Sequence, residues 1–301
     1  MNIPSKPFLL LIVSAVVLTG ARADDYNMII TTAEGSGAFN TTLANTSVEN
    51  FNSLPTGANR NVAWSGVGTI DAVGVLNPNL YGGAPDANGA GATRYAVQST
   101  SGSLGGIGKT TLSLNTPSSY FGLYWSAGDP YNVLDFYNGN NLVAHFTTAN
   151  LMNKLPSSYN GNPDSLYLGQ DHNEKFGFIN FMGSAGTSWN SIVFSNLGSS
   201  GFESDNWTSR VNGWNPTVDT LPGTPVELIQ TSGGVQTTAD VTKVTVNNGV
   251  IAITAKDTTS GKVLSADFLA AAPAAPAPPM TACLAFAGVL LLQTFRRQTV
   301  A

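Results

Sequence analysis

Charge is scarce in this 301-residue chain, where charged residues make up 10% against roughly 25% in an average soluble protein. With 13 Lys and Arg facing 18 Asp and Glu, there is no basic surplus to neutralise phosphates, which excludes a polybasic nucleic-acid binder. One Cys and two His exclude a disulfide framework and a thiol-rich zinc site. Amphipathic runs of helical period longer than two turns are also missing, with a weak exception around residues 147–155. Glycine (32), proline (16) and apolar side chains (42%) are present in quantity. That supply of apolar surface can build a core, so low charge does not mean disorder here.

The two ends read as addresses. Residues 1–23 hold a basic start (Lys6), an apolar run over residues 8–18, and Ala21-Arg22-Ala23, an A-x-A cleavage site. A cleaved secretory signal fits this pattern, with the mature chain beginning at Asp24 and export through the Sec machinery. An N-terminal anchor is the competing reading, but the run has 11 residues where a span needs about 20. At the other end, Pro273, Pro276, Pro278 and Pro279 punctuate a spacer over residues 273–279. A mostly apolar stretch then runs to the basic pair Arg296-Arg297 within a segment of residues 280–301. A 16-residue helix over 280–295 reaches about 24 Å, a marginal span of a hydrocarbon core of about 30 Å. The Arg pair predicts a cytoplasmic tail and an outside body, held transiently in the inner membrane. A core helix and a lipid-anchor signal near Ser265 and Ala266 are the other readings of this segment.

Between the ends, strand periods dominate. Leu134, Phe136 and the alternating residues 142–146 flank Asn138-Gly139-Asn140-Asn141, a hairpin signature in which Gly and Asn accept positive φ. Further strands are predicted over residues 94–98, 110–114, 120–125, 175–182 and 189–194, each bounded by Gly, Ser, Asn or Pro. Many short strands with turn signals between them predict an all-β, antiparallel sandwich, jelly-roll-like, over residues 24–219. Residues 220–272 read as a small β extension, with strands over 241–246 and 250–254 around Asn247-Asn248-Gly249. A lone hairpin is marginal in water, so this one is expected to pack on the sandwich or to recruit strands from 226–230 and 262–264. Once the terminal signals are set aside, nine basic residues face 18 acidic ones, a net charge of −9, which suits an extracellular surface and disfavours anionic polymers.

Catalytic groups are thin. His145 falls in a predicted strand and His172 in a loop, and neither completes a Ser-His-Asp arrangement. Asp171-His172-Asn173-Glu174 offers oxygens that could ligate calcium, but the spacing is not that of an EF-hand, and an Asx-rich turn explains it as well. Asp86-Ala87-Asn88-Gly89 likewise reads as a turn before a metal loop. Glu203 and Asp205 lie two apart and can share one face of a strand, as a glycosidase carboxylate pair would; a polar pair anchoring a loop is the plainer reading. No catalytic residue, metal site or cofactor is assigned. Trp207 and Trp214 flank the polar residues 208–213 and are candidate glycan contacts through exposed ring faces, with edge packing as the alternative. Trp64, Trp125 and Trp189 are expected in the interior.

The spacer, short apolar segment and Arg296-Arg297 resemble the PEP-CTERM sorting signal of Gram-negative bacteria, which an exosortase transpeptidase recognises in the inner membrane. Here Pro276-Ala277-Pro278 stands where that family has Pro-Glu-Pro. In the body, Tyr120-Phe121-Gly122-Leu123-Tyr124-Trp125-Ser126-Ala127-Gly128-Asp129 followed by Tyr131-Asn132-Val133-Leu134-Asp135-Phe136-Tyr137, and later Phe202-Glu203-Ser204-Asp205-Asn206, are similar to two hallmark blocks of a family of exosortase-dependent surface proteins. The resemblance implies a non-enzymatic cell-surface or matrix protein, sorted by an exosortase-like enzyme and associated with exopolysaccharide or biofilm. A lectin-like carbohydrate-binding module and, further off, a secreted glycoside hydrolase are the alternatives.

Overall fold

The computed structural model describes residues 26–33, 35, 37–84, 93–184, 186–216, 218–248 and 250–269. The signal segment, spacer, C-terminal apolar segment, Cys283 and the Asp86 to Gly89 turn lie outside these residues. The described chain is all-β: β1 (Met28–Thr32), β2 (Ser47–Glu49), β3 (Gly57–Trp64), β4 (Gly68–Leu76), β5 (Tyr95–Gln98), β6 (Lys109–Ser118), β7 (Tyr120–Ser126), β8 (Asn132–Asn138), β9 (Asn141–Thr147), β10 (Gly177–Gly183), β11 (Trp189–Asn196), β12 (Phe202–Ser209), β13 (Thr224–Ser232), β14 (Val235–Asn247), β15 (Val250–Lys256) and β16 (Val263–Leu269). Where a weak helical pattern was read over residues 147–155, the chain makes only a 3-10 turn, Met152–Lys154. No helix among the described residues is long and apolar enough to cross a membrane.

The strands join in one antiparallel sheet of order β16-β15-β14-β13-β1-β10-β7-β12-β5-β4-β6-β11-β8-β9, with β2 beside β12 and β3 beside β4. The sheet folds back on itself. β10 and β9 stand eight places apart in that order, about 38 Å in a flat sheet, yet Phe181 of β10 lies 4.9 Å from Phe146 of β9. Phe194 of β11 stacks on Trp207 of β12 at 4.0 Å. Two sandwich-like layers therefore enclose the main core, which runs from Met28 and Phe51 to Phe202 and Ile229.

Strands β1, β7, β10 and β12 are buried at every described position. In β7 and β10 this accounts for the near-continuous apolar runs, since a strand covered on both faces loses its alternation, whereas β12 is buried just as fully with mostly polar side chains. Turn chemistry closes the hairpins. β8 and β9 pair Asn138 with Asn141 across Gly139 at φ 58°, and β13 and β14 pair Ser232 with Val235 across Gly233 and Gly234, both at positive φ, as two-residue hairpins require. Residues beyond 220 continue the sheet through β13, which pairs with β1. A second core beneath them joins Tyr120 and Met182 to Leu228, Ile253, Leu264 and Phe268.

Candidate functional site: an acidic end where two sequence blocks meet

The first half of the first block, β7, and the second block, β12, are neighbouring strands, while the first block's second half, β8, pairs with β11 and β9. β7 and β12 run antiparallel, with Glu203 opposite Ser126, Ser204 opposite Trp125 and Asp205 opposite Tyr124. A register shift follows Asp205, where Asn206 takes φ 46°. Most of the second block is structural. Phe202 stacks on Trp125 at 4.5 Å, and the Ser204 hydroxyl accepts a hydrogen bond from Trp207 Nε1 at 2.9 Å. The Asp205 carboxylate accepts from Ala84 N at 3.0 Å and Thr93 Oγ1 at 3.1 Å through Oδ2, and from Asn206 N at 2.7 Å through Oδ1. It thereby fastens the connection between β4 and β5. Asn206 Nδ2 donates to Phe39 O at 3.1 Å, tying down the N-terminal segment.

Glu203 differs from the rest of the block. It is 5% exposed, and its Oε2 has no hydrogen-bond partner among the described residues. Gly201 lies against it so closely that a Cβ there would fall 1.7 Å from Glu203 Oε1. The connection after β7 brings Asp129, held by the Ser200 hydroxyl and the Gly201 N–H. The loop before β10 brings Asp171 and Glu174, whose carboxyl groups hydrogen-bond each other. Burial pushes the Glu203 carboxyl well above its usual range, and the nearby charges of Asp129, Glu174 and Asp171 push the same way. Glu174 is raised to about 8, by burial first and then by Asp171 and Asp129. Asp129 is raised mainly by burial.

The tryptophan expectation needs correcting. Trp207 is 0% and Trp214 3% exposed, so neither presents a ring face to a sugar. Trp207 is sandwiched in the core between Phe194 and an edge-on Phe51 at 5.1 Å. Trp214 packs on Phe268 at 5.5 Å, where the C-terminal strands meet the body. Tertiary packing overrides the polar sequence around them. Trp64, Trp125 and Trp189 are interior, as expected.

The paired-carboxylate reading fares no better chemically. Glu203 and Asp205 share a strand face, but Asp205 is fully buried and satisfied by three donors, so it cannot meet a substrate in solvent. His145 Nδ1 lies 2.7 Å from Asp135 Oδ1 on a 44% exposed side chain. Its backbone is clasped by the Gln236 amide, a structural setting. His172 is exposed in a turn.

A separate cleft of about 490 Å³ opens where the body meets β13 and β14, lined in part by Thr32, Lys154, Pro156, Tyr159, Pro225 and Asp240. Lys154 Nζ bridges Glu227 Oε1 at 2.6 Å and Asp240 Oδ1 at 2.5 Å. The sequence reading missed this trio, because 154, 227 and 240 lie far apart along the chain and only the pairing of Glu227 with Asp240 across β13 and β14 brings them together. No protein-family model, curated protein or solved structure matches this chain.

Proposed function

We propose that the chain is an exported, non-enzymatic cell-surface or extracellular-matrix protein with a jelly-roll-like body. In this reading it is released from the inner membrane by an exosortase-like enzyme and associates with exopolysaccharide. The observation that carries the reading is the order of address signals at the two ends around a body in which the β7 part of the first hallmark-like block pairs with the second block, β12. Pro276, Ala277, Pro278, Arg296 and Arg297 would form the sorting signal, and Ala21 and Ala23 the leader cleavage site. The net charge of −9 between them keeps the surface soluble and repels anionic polymers, so any matrix partner is engaged by hydrogen bonding and packing. The test is intact mass and fractionation of the protein from its producing cells, with and without the sorting enzyme. A chain running from Asp24 to about residues 276–278 and found outside the inner membrane is the expected result. Retention of Arg296-Arg297 in the inner membrane would overturn it.

The cleft beside Lys154 favours one second reading, a carbohydrate-binding module. Its walls offer an ammonium, a carboxylate, hydroxyl groups and proline faces, a mixture of apolar area and placed polar groups suited to a sugar. Retention of the purified protein on a glycan array, weakened by Ser158→Trp at the cleft wall, is expected; no retention on any glycan sinks this reading.

A further inference from the structure

We propose that Lys154 and Asp240 join in an amide bond within the folded chain, with Glu227 relaying the protons. Lys154 Nζ lies 2.5 Å from Asp240 Oδ1 and 2.6 Å from Glu227 Oε1. The carbon one bond beyond Oδ1 is then close to the separation of about 3–3.5 Å from which a positioned pair reacts. Each partner is fixed by the fold. Lys154 closes the 3-10 turn Met152–Lys154, whose Met152 is part of the main core, and Glu227 and Asp240 face each other across β13 and β14. The Glu227 side chain is 0% exposed, and its Oε2 has no hydrogen-bond partner among the described residues. A proton on that carboxyl relieves the cost of a buried, half-paired charge, which sets an acid beside the amine.

The step balances without an outside reagent. Burial works to release the Lys154 proton, but Glu227 and Asp240 outweigh it and hold the group above its usual range. The first proton therefore passes to Asp240 Oδ1 and not to solvent. The freed Nζ lone pair attacks Asp240 Cγ and forms the N–C bond. Glu227 relays a second proton from the nitrogen to the departing hydroxyl, the C–O bond breaks, and one water leaves. An ammonium and a carboxylate have become a neutral amide and water, nothing is oxidised or reduced, and Glu227 ends protonated as it began. Burial, the main cause, raises Glu227 to about 7, the range in which a side chain both takes and gives a proton at neutral pH. The water has an exit, because Asp240 lines the cleft and its side chain is 38% exposed. The bond spans 86 positions of chain and ties the body to the strands that cover β1. That is the constraint a disulfide supplies, in a chain with one Cys. The cleft keeps its hydroxyls and proline faces, so the bond rests on neither the export nor the sugar-binding reading.

The full chain and its variants, purified from the same cells, are weighed by mass spectrometry and digested with trypsin. The unaltered protein is expected one water lighter than its sequence, with a branched fragment joining residues 154 and 240. Lys154→Arg keeps a positive charge beside both carboxylates but has no primary amine, so it separates loss of the bond from loss of the fold. It should carry its full mass and melt cooperatively at a lower midpoint. Asp240→Ala should likewise keep its full mass. Glu227→Gln should cut the branched fraction at least about tenfold in protein that still melts cooperatively, and the other two variants carry the test if it does not fold. A full mass in the unaltered chain leaves the trio as ion pairs and overturns the proposal. So does a branch that runs to Glu227, and undiminished branching in folded Glu227→Gln removes that residue from the relay.

Discussion

Trp207 and Gly122 show how residues of similar-looking sequence context do opposite physical work. The Trp207 indole lies parallel to Phe194, at 3°, and spends its one donor on Ser204. Trp207→Ala should cost about 3–5 kcal/mol in urea unfolding and leave any glycan retention of the folded fraction unchanged. Retention lost without loss of stability would restore a surface role. Gly122 sits inside β7, where a Cβ would fall 2.7 Å from the Tyr120 hydroxyl and 2.8 Å from the Phe178 ring. Gly122→Ala is expected to lower stability by about 1–3 kcal/mol through overpacking, read as a fall in thermal midpoint. Neither role was legible beforehand. The residues after Trp207 are polar, and only the burial of β12 on both faces turns its ring inward. A glycine between aromatics announces a close approach without saying to what.

At the scale of elements, turn chemistry was the most legible signal. The Asn-Gly turn between β8 and β9 and the strands at 241–246 and 250–254 stand where their residues predict, because positive φ at Gly and Asn is a local demand. Strands β1, β3 and β4 were not read in advance. β3 carries Asn59, Arg60 and Asn61 and pairs with β4 alone, so its strand character comes from that partner rather than from its own pattern. β13 has a comparable dependence in reverse: it covers the edge of β1, all of whose residues are buried. Truncation after residue 219 should expose that apolar edge, and an uncovered edge templates association. Size-exclusion chromatography is expected to show oligomers or aggregate, and a stable monomer would show that the body closes without β13.

The same element brings a pH term. Burial raises Glu227 to about 7, with Lys154 pulling the other way and Asp240 adding to the rise. An unfolded Glu releases its proton near 4.5, earlier than the folded one, so stability from this group is full below that pH and declines as pH rises toward about 7. Urea midpoints followed from pH 4 to 8, about the window set by these values, should contain this falling contribution. Glu227→Gln should flatten it, and an unchanged profile in that variant would mean the group ionises freely in the fold.

For the whole molecule, the all-β class followed from many short strands and turn signals, but the manner of closure did not. Contacts such as Phe136 with Phe181 at 5.0 Å join strands far apart in sheet order, and no local pattern encodes a ring's distant neighbour. The acidic end was half legible for the same reason. The Asp171 to Glu174 run and the Glu203 and Asp205 pair stand out separately in the sequence, whereas Asp129 joins them only because β7 and β12 are paired. Their proximity is a property of topology, and it turns two connections and one position of β12 into one electrostatic unit.

One further consequence lies in the position of β16. It is the last strand at one end of the sheet, bonded only to β15, and its final residue Leu269 lies opposite Val250. The chain leaves for its C-terminal segment from that outermost rung. A pull on the tail directed away from the sheet loads the ladder at a single point and works inward toward Val263 opposite Lys256, peeling rungs in succession instead of shearing them together. The edge would then act as a mechanical fuse, yielding at low force and lengthening the chain while the aromatic core stays folded.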